Sequence, residues 1–318
     1  MNNTNVLLQF EALLRYFPQE ISQPLKNLSD EIKLSAEEVR LRAGRPLAVT
    51  INGTQFFVKR NSTSLLPGHD CVTVTEKMAQ QCFYLLCNHS VYSHKDEICN
   101  GFLIIEGGHR AGICGTVASE NGKIVSIKDI SSINIRIAKE VPHCADKLIK
   151  AYNGGGVLIC GAPGSGKTTL IRDMVRQLAG GTAGKFLKVA VIDSRGEIAA
   201  VSHGVPTTDL GSTADVITAC PKGKGIEMAL RTLYPDIIAF DELGDMEEVN
   251  MIKQGLNSGV SIITTAHAGS IDDIYKRCQT KSLIDMGAID NIAICSNKQG
   301  FSYEIIHPDA ARAPVVSA

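Results

Sequence analysis

The chain has 318 residues, with 32 basic and 33 acidic side chains and a formal net charge of −1. That length holds two domains, each with a core of its own; the near-cancellation of charge gives neither the basic footprint of a duplex-wrapping protein nor a polybasic run for an anionic membrane. Ten cysteines without one C-x-x-C pair, several of them inside apolar runs, read as reduced thiols filling small core positions in a cytosol and not as a disulfide framework, with a zinc site the minor alternative.

Val6, Leu7, Phe10, Leu13, Leu14 and Phe17 recur at helical spacing, so an amphipathic helix is expected first. With no basic residue before Arg15 and no small-residue cleavage pattern, this segment does not read as a signal peptide. Residues 37–59 alternate instead, placing Val39 and Leu41 on one face and Arg40 and Arg42 on the other. Asn52-Gly53, between two apolar runs, predicts a two-residue hairpin. Thr75 is the expected N-cap of a helix through "EKMAQQCFYLLCNH", and residues 101–138 read as further strands with a turn at Asn121-Gly122. Residues 1–140 are therefore expected to form an α+β domain.

The texture changes after "AKEVPHC" (138–144), where Pro142 interrupts regular structure. Short apolar runs ("VLIC", "KVAVID", "DIIAFDE", "SIITTAH") alternate with helical stretches, which predicts a mostly parallel sheet, buried on both faces, over residues 141–318. The tail "PDAARAPVVSA" is expected to be disordered. No apolar run approaches the roughly 20 residues that cross a bilayer, so no direct membrane insertion is expected.

"GAPGSGKT" (161–168) follows an apolar strand and opens a helix, the setting in which glycine-rich turns cradle phosphate. Gly161, Gly164 and Gly166 let backbone N–H groups approach without a Cβ in the way; Lys167 supplies charge for the β and γ phosphates, and the Thr168 hydroxyl suits magnesium. Ala162, Pro163, Ser165 and Thr169 complete the expected nucleotide-binding stretch, with ATP and Mg²⁺ as the cofactors. "SNKQG" (296–300) only briefly imitates a guanine-reading NKxD motif.

Three further strand tips carry chemistry. Asp241 is expected to hold the magnesium shell while Glu242 reaches the attacking water. "VAVIDSRGE" ends in Asp193, Arg195 and Glu197, and "SIITTAH" ends in Thr264, Thr265 and His267. Parallel neighbours would bring all of these to one cleft.

In order and content these segments resemble the type II/IV secretion ATPase superfamily, the hexameric RecA-like motors of secretion systems and type IV pili, and within it a branch from endospore-forming bacteria. "IDSRGE" is similar to the family's Asp box through Asp193 and Glu197. "LRTLYPDIIAFDELGD" matches its next motif through Arg231, Asp236 and Glu242, and "SGVSIITTAHAGS" its His box through His267. The family commonly has Glu-Arg-Asp where this chain has Glu242, Leu243, Gly244 and Asp245, and often a histidine at Val260.

The resemblance implies a homo-hexameric ring on the cytoplasmic face of the mother cell, peripheral to the membrane through protein partners. There ATP hydrolysis would drive assembly of, or transport through, a channel to the forespore. It places Glu242, Glu197, His267 and Arg231 in catalysis and Asp193 at the nucleotide. Arg40, Arg42, Arg110 and Arg136 are candidate γ-phosphate readers across a domain or subunit boundary, and solvated charges otherwise. "PKGKGIEM" (221–228) reads as a loop, either plain or facing a pore or partner. The competing reading is a RecA-like nucleic-acid motor; the neutral charge and the absence of tryptophan disfavour nucleic acid as a partner.

Overall fold

The computed structural model describes residues 3–182, 184–202, 204–296 and 301–308. Residues 297–300 of "SNKQG" and all of the expected disordered tail beyond Pro308 lie outside the described residues. The chain divides into two compact units, Met1–Glu140 and Val141–Ala318.

The first unit is a seven-stranded sheet with helices against its apolar face. Its strands are β1 (Ala36–Arg42), β2 (Ala48–Ile51), β3 (Thr54–Val58), β4 (Thr63–Ser64), β5 (Phe102–Ile105), β6 (His109–Glu120) and β7 (Lys123–Arg136). Their order is β4-β3-β2-β1-β7-β6-β5. Every pairing is antiparallel.

Alternation decides which face is buried. Val39, Leu41, Ile133, Ile135, Ala111 and Leu103 are fully covered. The other face carries Arg40 and Arg42 of β1, Arg136 of β7 and Arg110 of β6, with Arg136 registered between Glu38 and Arg110. Asn52 and Gly53 both adopt positive φ, 48° and 74°, and join Ile51 directly to its partner Thr54.

Helix α1 (Asn3–Leu13) buries Val6, Phe10 and Leu13. It stops at a 3-10 turn and an extended Phe17, because Pro18 cannot continue the ladder; Phe17 still reaches the core, from outside the helix. Helix α2 (Glu76–Leu86) starts at Thr75, whose hydroxyl accepts the Met78 N–H at 3.2 Å.

The second unit is a seven-stranded sheet that is parallel except at one edge. Its strands are β8 (Val157–Gly161), β9 (Val189–Asp193), β10 (Ala214–Thr218), β11 (Ile237–Phe240), β12 (Ser261–Ala266), β13 (Asn291–Ser296) and β14 (Ser302–Ile306). Their order is β10-β9-β11-β12-β8-β13-β14, with only β13 and β14 antiparallel.

Both faces are covered, as a parallel sheet requires. Val157 and Ile159 of β8 join one core with Leu170 and Met174 of α3 (Lys167–Ala179). Leu158 and Cys160 join the other, with Ile226 of α4 (Lys222–Thr232) and Val249 of α5 (Met246–Asn257). The "PKGKGIEM" stretch is thus not a loop: from Lys222 it is the first part of α4. All ten cysteines are free thiols, and burial pushes Cys160 up to about 12.

Candidate functional site

The parallel strands end at one edge, and the order places β12 between the loop-bearing β8 and β11. The tips of β8, β12, β11 and β9 therefore stand side by side. Gly161 begins the glycine turn, which ends at Gly166, the residue before α3. Gly164 and Gly166 hold φ of +73° and +92°, a backbone that turns successive N–H groups toward one concavity. A Cβ on Gly161 would lie 2.3 Å from Ser165 Oγ, and one on Gly166 2.6 Å from the Phe301 ring, so neither position admits a side chain without a shift.

Lys167 folds back over the turn. Its Nζ donates to the carbonyls of Gly161 (3.0 Å) and Ala162 (2.9 Å) and lies 3.2 Å from His267 Nδ1. An ammonium only donates, so Nδ1 accepts and the imidazole proton sits on Nε2, which faces Glu242 Oε1 at 3.6 Å. Burial lowers the Lys167 ammonium from its ordinary range, opposed by Asp241.

Asp241 accepts from Thr168 Oγ1 at 2.7 Å and also from Thr265 Oγ1. Thr265 bridges two strand tips. Its hydroxyl accepts the Glu242 N–H at 2.9 Å, and its carbonyl accepts the Leu243 N–H at 2.8 Å. The Glu242 carboxylate meets the Arg195 guanidinium, a half-exposed contact that solvent screens and that is therefore readily exchanged.

The other sequence candidates are placed differently. Asp193 is buried, and its two oxygens take the backbone N–H groups of Glu197 (2.9 Å), Ile198 (3.1 Å) and Ala199 (2.7 Å). Burial raises its carboxyl despite these donors, and the residue shapes the turn that carries Arg195 and Glu197. The Glu197 carbonyl accepts from Arg172 at 2.6 Å. Thr169 lies in the first turn of α3, where its carbonyl accepts from Cys144 Sγ at 3.7 Å. Ala162 and Pro163 form the exposed crest of the turn. Arg231 is not brought to the cluster: it sits in the last turn of α4, with its side chain 76% exposed and paired to Glu227 at 2.9 Å.

In the first unit, Arg40 is tied to Glu38 (3.0 Å) and Asn134 (3.1 Å), and the Arg110 guanidinium lies 3.9 Å over the Phe102 ring. Partial burial, and then Arg40, lower Arg42. Arg136 is exposed.

Magnesium triphosphate fits the residues present. The Thr168 hydroxyl and the Asp241 carboxylate bring two hard oxygens together, the few-ligand arrangement magnesium uses when phosphate and water fill its remaining positions. Ser165 Oγ is buried under the turn, close against Gly161, with no hydrogen-bond partner among the described residues. A cavity of about 330 Å³ opens beside the turn, lined by Gly161, Pro163, His267, Asp273, Lys276 and Arg277. Lys276 and Arg277 carried no motif in the sequence; only folding brings their charge to the loop.

A model of the family described as "Sporulation stage III, protein AA" matches residues 11–304. Stage III sporulation protein AA of Bacillus subtilis (strain 168) is 33% identical over 287 residues, 89% of this chain and 90% of that one. The pilus retraction motor PilT, solved with bound ADP, is similar in fold, with a TM-score of 0.58 at 20% identity over 88% of this chain and 83% of that chain. The Legionella pneumophila ATPase DotB gives 0.51 at 15% identity over 85% of this chain and 76% of that chain. Among the described residues no helix is long and apolar enough to cross a membrane. With a family match over most of its length and a relative one-third identical across nearly all of it, the chain belongs to the stage III sporulation protein AA family, on a RecA-like fold.

Proposed function

We propose that the chain hydrolyses ATP with magnesium in its second unit, and that it does so as a ring motor serving a membrane channel assembled during sporulation. One observation carries the hydrolytic reading. Lys167, the Thr168–Asp241 pair and the Glu242–His267 pair, which come from three strand tips, converge at one sheet edge. Each supplies a different requirement of phosphoryl transfer.

Bound magnesium would neutralise and orient the β and γ phosphate oxygens. The N–H groups of the turn and the start of α3 bind the phosphates. Lys167 exchanges its two carbonyl contacts for phosphate oxygens, and Asp241 and Thr168 hold the ion. Glu242 takes a proton from the attacking water, and His267 Nε2–H orients its carboxylate. Arg195 lies on the Glu242 carboxylate and is a half-exposed cation able to move from it toward new negative charge. Asp193 and Glu197 act through the backbone of the turn that presents Arg195. Arg231, facing outward, has its role at a neighbouring molecule or none in the reaction.

The ring reading draws support from the arginine face of the first unit, where the core side of the same strands is apolar apart from the buried His109. A guanidinium reaching the γ phosphate from another subunit contributes on the order of 10³-fold or more in rate. The partners would be channel proteins in the membrane, with the motor on the mother-cell side.

The test is ATPase rate against protein concentration, with mass measured with and without a non-hydrolysable ATP analogue. A rate per subunit that rises with association supports the ring; an equally active monomer at every dilution removes it. Absence of turnover at any concentration removes the hydrolytic reading. Stimulation by added DNA or RNA would favour the nucleic-acid motor instead.

A further inference from the structure

Glu242 has a φ of +59°, in the left-handed region that a non-glycine residue adopts only when its surroundings dictate it. Its own side chain does not impose this. The restraint comes from the peptide groups on either side, and the most buried part of it is an ion pair that phosphate chemistry does not use. We infer that Lys222, held by Glu248, is a positioning residue that fixes the attack geometry of Glu242; this rests on the reading of Glu242 as the catalytic base.

Lys222 begins α4 and its Nζ donates to the Glu242 carbonyl. The same ammonium pairs with Glu248 Oε1 at 3.1 Å, with the two side chains only 14% and 8% exposed. Glu248 Oε2 in turn accepts the Gly244 N–H at 2.7 Å, and Gln279 Nε2 donates to the Gly244 carbonyl at 3.1 Å. With the Thr265 contacts to the Glu242 and Leu243 N–H groups, the segment is held by donors and acceptors from four separate elements.

Gly244 makes room for this arrangement. A Cβ there would stand 3.3 Å from Glu248 Oε1 and 3.5 Å from Lys222 Nζ. The second lysine of the same stretch, Lys224, has a 70% exposed side chain and among the described residues pairs only with its helical neighbour Glu227 at 3.1 Å. Two lysines two residues apart thus do different things, and only one of them reaches the site.

A buried ion pair is a weak source of net stability, because desolvation offsets much of its attraction. What Lys222 supplies is direction: without its Nζ the Glu242 carbonyl loses its donor, and the peptide is free to leave the left-handed region. A displacement of about 1 Å at the base costs on the order of 10²-fold in rate, with substrate binding untouched.

The experiment measures kcat and KM for Mg-ATP on the full chain, in the unaltered protein, Lys222→Met, Lys222→Met/Glu248→Leu and Lys224→Ala. The expected result is a fall of about 10² in kcat for Lys222→Met, with KM within about threefold of the unaltered value. The double variant, which replaces the pair by apolar groups, is expected to keep the thermal midpoint of the unaltered chain and the kcat defect together. It carries the test alone where the single variant fails to fold. Lys224→Ala is expected to behave as the unaltered chain. Unaltered kcat in a folded Lys222→Met or in the double variant overturns the inference while leaving the ATPase reading standing. No turnover by the unaltered chain overturns both.

Discussion

Replacing Glu242 by glutamine keeps the shape of the side chain and removes its ability to accept a proton. Glu242→Gln is expected to lower kcat by roughly 10² to 10⁴ while ATP affinity stays unchanged, as read by single-turnover hydrolysis beside equilibrium binding. Turnover at the unaltered rate would move the base elsewhere, with Glu197 next in line. A second residue-scale expectation concerns Asp173, which is buried on α3 and accepts from Ala145 N–H (2.8 Å), Gln177 (3.0 Å) and Arg176 (2.9 and 2.6 Å). Burial alone would raise its carboxyl; these donors outweigh burial and hold it below the ordinary carboxylate range. A depressed folded pKa contributes stability that is present above the unfolded value of about 3.9 and is lost as pH falls through the folded one. Asp173→Asn is therefore expected to cost roughly 1.5 to 3 kcal/mol at neutral pH and progressively less below about pH 4, measured by urea unfolding at each pH. A difference that stays constant with pH would deny the carboxylate this part.

The two glycines of "PKGKG" separate at the scale of the helix that contains them. Gly225 of α4 packs on β9 so closely that a Cβ would sit 2.5 Å from Ile192 Cγ2, whereas one on Gly223 would only touch Glu247 at 3.9 Å. Gly225→Ala is expected to destabilise by about 1 to 3 kcal/mol through overpacking, despite its gain in helix propensity. Gly223→Ala is expected to stabilise by up to about 1 kcal/mol, and thermal melts of the two variants should move in opposite directions. The same glycines explain why a reading of local signals makes this stretch a loop: propensity records their cost in a helix and not the strand that needs them. Elsewhere local signals sufficed. The alternation at Val39 and Leu41, the Asn52-Gly53 turn and the apolar runs of the parallel strands are written within a few residues, because each depends on backbone sterics and period. The glycine turn between strand and helix and the strand tip at Asp241-Glu242 were legible for the same reason. Thr265's bridging and Lys222's reach were not, since both arise from the lateral order of strands and helices far apart in the chain.

At the scale of the whole molecule the basic face of the first unit sets the expectation. Arg136 is exposed and lies in a cross-strand row with Glu38 and Arg110, whereas Arg40 and Arg110 already have partners within their own sheet. Arg136→Ala is expected to lower kcat by about 10³ in the assembled protein while leaving the mass of the assembly unchanged; wild-type ATPase activity in that variant would remove Arg136 from the proposal. The Thr265 bridge bears on how such a motor would convert hydrolysis into displacement. By clasping Asp241, Glu242 and Leu243 from the adjoining strand, it welds two tips into a single unyielding anvil. On the proposed motor reading, any stroke would then be carried by the lighter pieces on its flanks, the glycine turn on one side and the Arg195 turn on the other.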